Sequence, residues 1–297
     1  MKFNRVLSGL CQGLALVAAL LAAPTHARDL AEIKAEGVLR HIGIPYANFV
    51  SGSGDGMDVE LIKGFALHLG VKYEYVKTDW GTVVEDLLGR KIKVVDGHAQ
   101  LGAEVPVKGD LVANGFTMLP WRKEILTYSE PTFPSQIWLI ARANSLIKPI
   151  KPGNDITADV EATRAVLKKK RVLALPNTCL DPNLYNLDAT GGTVVNFDGQ
   201  LHEIALAVIF KGEEFTILDV PDALIALEKW PGKIKIVGPM SPPQQMGVGF
   251  KKTSPKLREE FNKYLEETKR NGTYMKLVTK YYPTASYYFP AFFKGLH

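Results

Sequence analysis

Short apolar strands alternate with amphipathic helices along most of this 297-residue chain, a pattern that restricts it to layered α/β architectures with parallel sheets. Strands are expected at Val38 to Ile44, Val71 to Val76, Leu111 to Ala113 and Ile137 to Arg142. A second set falls at Arg171 to Leu175, Thr193 to Phe197, Phe215 to Leu218 and Lys233 to Val237. Helices fit between them at Met57 to Leu69, Thr82 to Leu88, Asp159 to Lys169, Leu201 to Phe210 and Pro221 to Lys229. A long amphipathic helix, Pro255 to Asn271, is stopped by Asn271-Gly272 and followed by another over Thr273 to Lys280.

The two sets of strands read as two lobes, with Ile137 to Ala143 as the outgoing crossing and Gln245 to Lys251 as the return. Pro242-Pro243 removes two backbone donors and stiffens the approach to the return. Two crossings make a hinge around a cleft, an arrangement suited to closing on a ligand. The expected division is 1–27 as a leader, 28–141 as the first part of lobe 1, 142–245 as lobe 2 and 246–297 as the rest of lobe 1.

The leader reading rests on Lys2 and Arg5, the mostly apolar run from Val6 to Ala23, and small residues at Thr25 and Ala27 before Arg28. These are the three parts of a cleavable secretory signal, which directs the chain to the periplasm. A retained anchor is the competing reading, but Gly9, Gln12 and Gly13 leave the run short of the roughly 20 apolar residues a span needs. Losing Lys2 and Arg5 brings the formal net charge from +5 to +3, too mild a surplus for a nucleic-acid surface. With Cys11 removed, Cys179 is the only cysteine left, so core burial rather than a disulfide must hold the fold.

The stretch from Lys108 to Phe133, KGDLVANGFTMLPWRKEILTYSEPTF, carries the chemistry. A buried strand ends in Asn114-Gly115 and hands over to Thr117 and Arg122. Backbone amides, a hydroxyl and a guanidinium gathered at one strand end suit a carboxylate, whose two oxygens match the planar arginine fork. In the second lobe Asp219 closes the strand FTILD, where a carboxylate would face the ligand crevice. Asp222, after Pro221, is the alternative, although it could simply serve the first turn of a helix. Thr178, in ALPNTCLDP, ends the first strand of that lobe. Tyr46 and Trp80 are candidates for an aromatic wall, with core packing the other reading of Tyr46. Trp121 is a further candidate for the wall.

The Lys108–Phe133 stretch resembles the core motif of the family 3 periplasmic solute-binding proteins, the amino-acid receptors of ABC importers. The similarity extends to Gly-Val-Gly-Phe-Lys-Lys and to NKYLEETKRNGTYMKLVTKYYP near the end. It implies a type II periplasmic-binding-protein fold: two α/β lobes joined by a two-strand hinge around a cleft. It also implies that Arg122, Thr117 and Thr178 hold a ligand carboxylate, while Asp219 and the Asn114–Gly115 turn take the ammonium. Tyr46 would cover the ligand side chain, with Phe49 packed beneath the loop. At the Thr178 turn Asn177 stands where the family has glycine, and Cys179 replaces a hydroxyl with a weaker donor. Trp121 replaces a residue that is usually charged, which points to a more apolar pocket. The chain also departs from the family over Gly89 to Val107, where the glycines and Pro106 suggest a hairpin or an extended loop. That segment is either a plain surface insertion or a modifier of the pocket or of a partner surface.

The expected function is therefore capture of an amino acid or related carboxylate by a non-enzymatic monomer that docks on an inner-membrane ABC permease. Neither a cofactor nor a metal is expected, and the histidines show no ligand spacing. The rival is a cleft enzyme resembling the dehydratases of cyclic carboxylates, with Asp219 or Glu130 as its acid, and a sensory receptor without a transporter is a third reading. The GSGDG loop over Gly52 to Gly56 lies too far from the first strand for a dinucleotide turn. A Cys179–His202 nucleophile has no spacing to support it.

Overall fold

The computed structural model describes residues 28–296, except residues 53, 177, 200 and 213 and the side chain of His202. The leader at 1–27, the Asn177 turn position and the His202 pairing lie outside the described residues. The first part of the chain forms α1 (Leu30–Glu36), β1 (Val38–Gly43), α2 (Met57–Leu69), β2 (Lys72–Lys77) and α3 (Val83–Leu88). Next come β3 (Arg90–Val95), β4 (His98–Glu104), β5 (Leu111–Val112), α4 (Pro120–Ile125) and β6 (Leu126–Tyr128). The middle forms β7 (Phe133–Ser135), β8 (Ile137–Arg142), α5 (Ile156–Val166), β9 (Arg171–Ala174) and β10 (Thr193–Asn196). It continues through α6 (Ile204–Phe210), β11 (Phe215–Asp219), α7 (Val220–Lys229) and β12 (Ile234–Pro239). The chain then returns through β13 (Gln244–Met246) and β14 (Gly249–Lys251) to α8 (Pro255–Arg270), α9 (Thr273–Tyr281) and α10 (Ala285–Tyr288).

Two five-stranded sheets organise these elements, in the orders β2-β1-β5-β14-β6 and β10-β9-β11-β8-β12. In the first sheet β1 runs parallel to β2 and β5, and β14 runs antiparallel to β5 and β6. In the second, β9 is parallel to β10 and β11, and β8 is antiparallel to β11 and β12. Both sheets are thus mixed rather than purely parallel, because one strand in each arrives from the opposite lobe.

The outgoing crossing lies earlier than the sequence suggested. Ile137 to Ala141 are all buried, and β8 sits inside the second sheet between β11 and β12. An unbroken apolar run is the mark of a strand covered on both faces, and IWLIAR is that strand rather than a connector. The ribbon between the sheets is β7 paired antiparallel with β13, Phe133 opposite Met246 and Ser135 opposite Gln244. Phe133 anchors it in an aromatic cluster with Phe49 and Tyr282, at centroid separations of 5.2 and 4.7 Å. Such tilted and edge-on pairs add about 0.5–1.5 kcal/mol each beyond area burial.

The Gly89–Val107 segment is a hairpin of β3 and β4. It leans on α4, where Glu124 accepts from the Ala99 amide at 3.0 Å and pairs with His98 at 2.7 Å. At the other end of the chain, Phe289 stacks on Trp138 of β8 and Phe293 packs against Phe133 of the ribbon. The last described residues therefore touch both the crossing and the second sheet. Among the described residues no helix is long and apolar enough to cross a membrane.

Candidate functional site

A cleft of about 890 Å³ opens between the carboxyl ends of the two sheets. The segment after β1 and Trp80 form one wall. The turn after β9, together with α6 and α7, forms the other. Ligands of open α/β sheets collect at such strand ends, because the loops there are free to supply side chains.

Arg122 is placed by its own local sequence. Pro120 fixes the first turn of α4, so the guanidinium swings back over the Phe116 ring, 4.2 Å from the centroid. One terminal nitrogen donates to the Thr117 carbonyl at 3.0 Å, while Nε is buried without a partner. Burial pulls the guanidinium below its ordinary value. Thr117 is itself pinned, since it forms a bridge to Met246 of the ribbon and its carbonyl also accepts from Tyr128 at 3.3 Å.

Gly115 sits at φ +63°, and a Cβ there would lie 2.4 Å from the Phe49 ring, so only glycine fits this turn. Its amide donates to Asp58 at 2.7 Å, a carboxyl that burial pushes up to about 7. Asn114 beside it is 0% exposed, and neither amide atom of its side chain has a partner. A buried primary amide left wholly unpaired costs free energy that a hydrogen-bonding guest would recover.

In the second lobe Asp219 is 1% exposed and well satisfied. It accepts from the Ser135 hydroxyl and from the Tyr46 hydroxyl at 3.3 Å, with further support from the Val220 amide and the Cys179 thiol. Burial still raises it to about 6. Asp222, one turn on, lines the cleft with Oδ2 unpartnered. Burial and the neighbouring Asp219 charge push it up to about 8, offset in part by the Tyr46 hydroxyl. The Cys179 thiol lies within electrostatic reach of Arg122 and of both aspartates, and burial raises it well above its usual range.

Tyr46 serves both purposes the sequence left open. It packs on Phe49 at 6.1 Å and edge-on to Trp80 at 5.5 Å, and it lines the cleft with Trp80. Thr178 also lines the cleft, but its hydroxyl closes its own turn, donating to Leu175 at 2.7 Å and accepting from Leu180 at 3.0 Å. Asn114, Gly115, Thr117, Arg122 and Asp219 lie behind the open lining rather than in it. Ser135, the Asp219 partner, escaped the sequence reading because the two stand 84 positions apart and only the ribbon unites them. Among the described residues no cluster of three or more histidine, cysteine or acidic side chains is placed to hold a metal.

The model of the bacterial extracellular solute-binding proteins, family 3, matches residues 106–284. Membrane-bound lytic murein transglycosylase F of Desulfosudis oleivorans is 26% identical over 230 residues, covering 76% of this chain and 44% of that protein. The chain therefore spans less than half the length of that relative. Among solved structures, a mutant ArgBP from T. maritima superposes with a TM-score of 0.64 at 25% identity, covering 86% of this chain and 99% of that one. The unliganded, open L-cystine solute receptor of Neisseria gonorrhoeae shares the fold, with a TM-score of 0.58 at 23% identity and coverages of 86% and 97%. An ancestral amino acid-binding protein, a precursor of cyclohexadienyl dehydratase, does so at 0.62 and 23%, with coverages of 85% and 98%.

Proposed function

Because the chain belongs to the bacterial extracellular solute-binding proteins of family 3, we propose that it is a non-catalytic receptor for an α-amino acid or related small carboxylate. The observation that carries this reading is a buried guanidinium nitrogen left without a partner, close to a pair of acidic groups. Nε of Arg122 is that nitrogen, and Cys179 lies within electrostatic reach both of Arg122 and of the Asp219–Asp222 pair. A carboxylate docked on Arg122 would satisfy its unpartnered nitrogen, and an ammonium would find its counter-charge in Asp219. Thr117 would complete the carboxylate end, with Thr178 contributing backbone rather than its occupied hydroxyl, and the Asn114–Gly115 turn would join Asp219 at the ammonium. Tyr46 and Trp80 would wall the side chain. The lobes on this account are 28–132 with 247–296, and 136–243, hinged at the β7–β13 ribbon.

Closure over the ligand would present a surface for an inner-membrane ABC permease, with the receptor acting as a periplasmic monomer after loss of 1–27. Micromolar affinity would correspond to about −8 kcal/mol. A thermal-shift screen of residues 28–297 against α-amino acids and small carboxylates tests the reading. Ligand at 100 times its dissociation constant should add about 2.7 kcal/mol of apparent stability. Silence across amino acids and small carboxylates alike would sink the proposal.

One observation favours a second reading. A carboxyl raised to about 8 beside a second carboxylate and a tyrosine hydroxyl is an acid–base arrangement. Turnover of cyclic carboxylates, abolished by Asp222→Asn, would establish a dehydratase-like enzyme instead.

A further inference from the structure

We propose that Asp222 determines ligand specificity, and that the ligand class is an α-amino acid whose side chain carries a second cation. This rests on the receptor reading above and adds to it the chemistry of the side chain.

The argument begins with what Asp222 lacks. A carboxylate in the first turn of a helix ordinarily accepts an N–H at that terminus, and such a role would explain its position on α7. Yet Oδ2 of Asp222 is buried and accepts from nothing, and no side chain caps α7. The groups that couple to it are Asp219, Tyr46, Cys179 and Tyr282. All four are acids: the Tyr46 hydroxyl supports the carboxylate in part, but none carries a positive charge to balance it. Lys229 is the one cationic side chain in the described lining, but it is exposed at the far end of α7, about 10 Å along the axis at 1.5 Å per residue.

The charges of a neutral amino acid would leave this group unanswered. Its carboxylate would neutralise Arg122 and its ammonium Asp219, already supported by Ser135 and Tyr46. Asp222 would then keep its buried Oδ2 with no counter-charge, a costly state that the protein relieves by holding a proton. A ligand with a distal ammonium or guanidinium removes that cost. The cleft at Asp222 fits such a side chain: Ile225, on the same helix, offers an apolar surface to a methylene stem, and Trp80 in the facing wall offers an aromatic ring to a cation.

Calorimetric titration of residues 28–297 with L-arginine and its neutral isostere L-citrulline, and with L-lysine and L-norleucine, tests the inference. The wild type should bind each cationic probe at least about 30-fold more tightly than its neutral partner, as expected for a desolvated charge contact. Asp222→Asn should erase that preference while leaving the neutral probes within about 3-fold. In the wild type, arginine binding at pH 7 should also release a proton, seen as an enthalpy that depends on the buffer, which keeps the test valid should the variant fold poorly. Equal affinity for charged and neutral probes would overturn the inference and leave the receptor reading intact. Equal weakening of all four probes by Asp222→Asn would also overturn it, because Asp222 would then hold the α-ammonium. Binding of none of the four would also overturn it, and the amino-acid and carboxylate screen then decides the receptor reading separately.

Discussion

The Tyr46 hydroxyl donates to the Asp219 carboxylate at 3.3 Å, joining the segment after β1 to the end of β11 in the opposite lobe. The two residues are 173 positions apart, and the contact is buried. It makes one aromatic side chain a core element, a cleft wall and a link between lobes at once.

Removing that link should loosen the pair of lobes without unfolding either. Tyr46→Phe keeps the packing on Phe49 and Trp80 and deletes one hydrogen bond, worth about 1 kcal/mol. Small-angle scattering of the ligand-free variant should show a larger radius of gyration than the wild type, and ligand affinity should fall about 5-fold. An unchanged radius would show that the bond does not hold the lobes together.

Gly115 is the position where a single methyl group should do most harm. The turn needs φ +63°, and the Phe49 ring occupies the space a Cβ would take. Gly115→Ala should cost about 2–3 kcal/mol of stability, strain and overpacking combined, measured as a lower urea midpoint. A midpoint within error of the wild type would contradict the packing described here.

The buried carboxyls set the sign of a pH effect. Asp222 is raised to about 8 when folded, against an ordinary value of 3.8. The folded chain therefore holds a proton that the unfolded chain releases. The stability this contributes is complete below about pH 4 and is lost as pH rises through 8. Asp222→Asn mimics the protonated form, so its thermal midpoint relative to wild type should climb between pH 5 and pH 9. His41, lowered to about 4 by burial, acts in the opposite sense on the acid side and is common to both proteins. A difference that stays flat with pH would mean that Asp222 is ionised at neutrality.

Much of the fold was legible because burial writes itself into periodicity. The helices over Met57–Leu69 and Pro255–Arg270 fall where their apolar spacing and stop signals place them. The crossing was misplaced because IWLIAR, read alone, does not say whether its neighbours are solvent or strands. The hairpin over 89–107 was visible as a glycine-spaced interruption, but its contact with α4 through Glu124 was not, since that pairing joins distant positions. Within the site, Arg122 and Thr117 stood out as donors after a strand end. The state of Asp219 and Asp222 depends on Ser135 and Tyr46, and side-chain partners chosen by tertiary packing leave no local pattern.

The central claim is that Arg122 receives a ligand carboxylate. The most direct test is calorimetric titration of wild type and Arg122→Ala with an amino acid found to bind, and of wild type with the methyl ester of that amino acid. The account predicts at least about 100-fold weaker binding for both the variant and the ester, as for a truncated buried charge pair. It also predicts that the ligand-free thermal midpoint of Arg122→Ala stays close to wild type. If the variant bound the free amino acid as tightly as the wild type does, Arg122 would not be the carboxylate site and the assignment would be wrong.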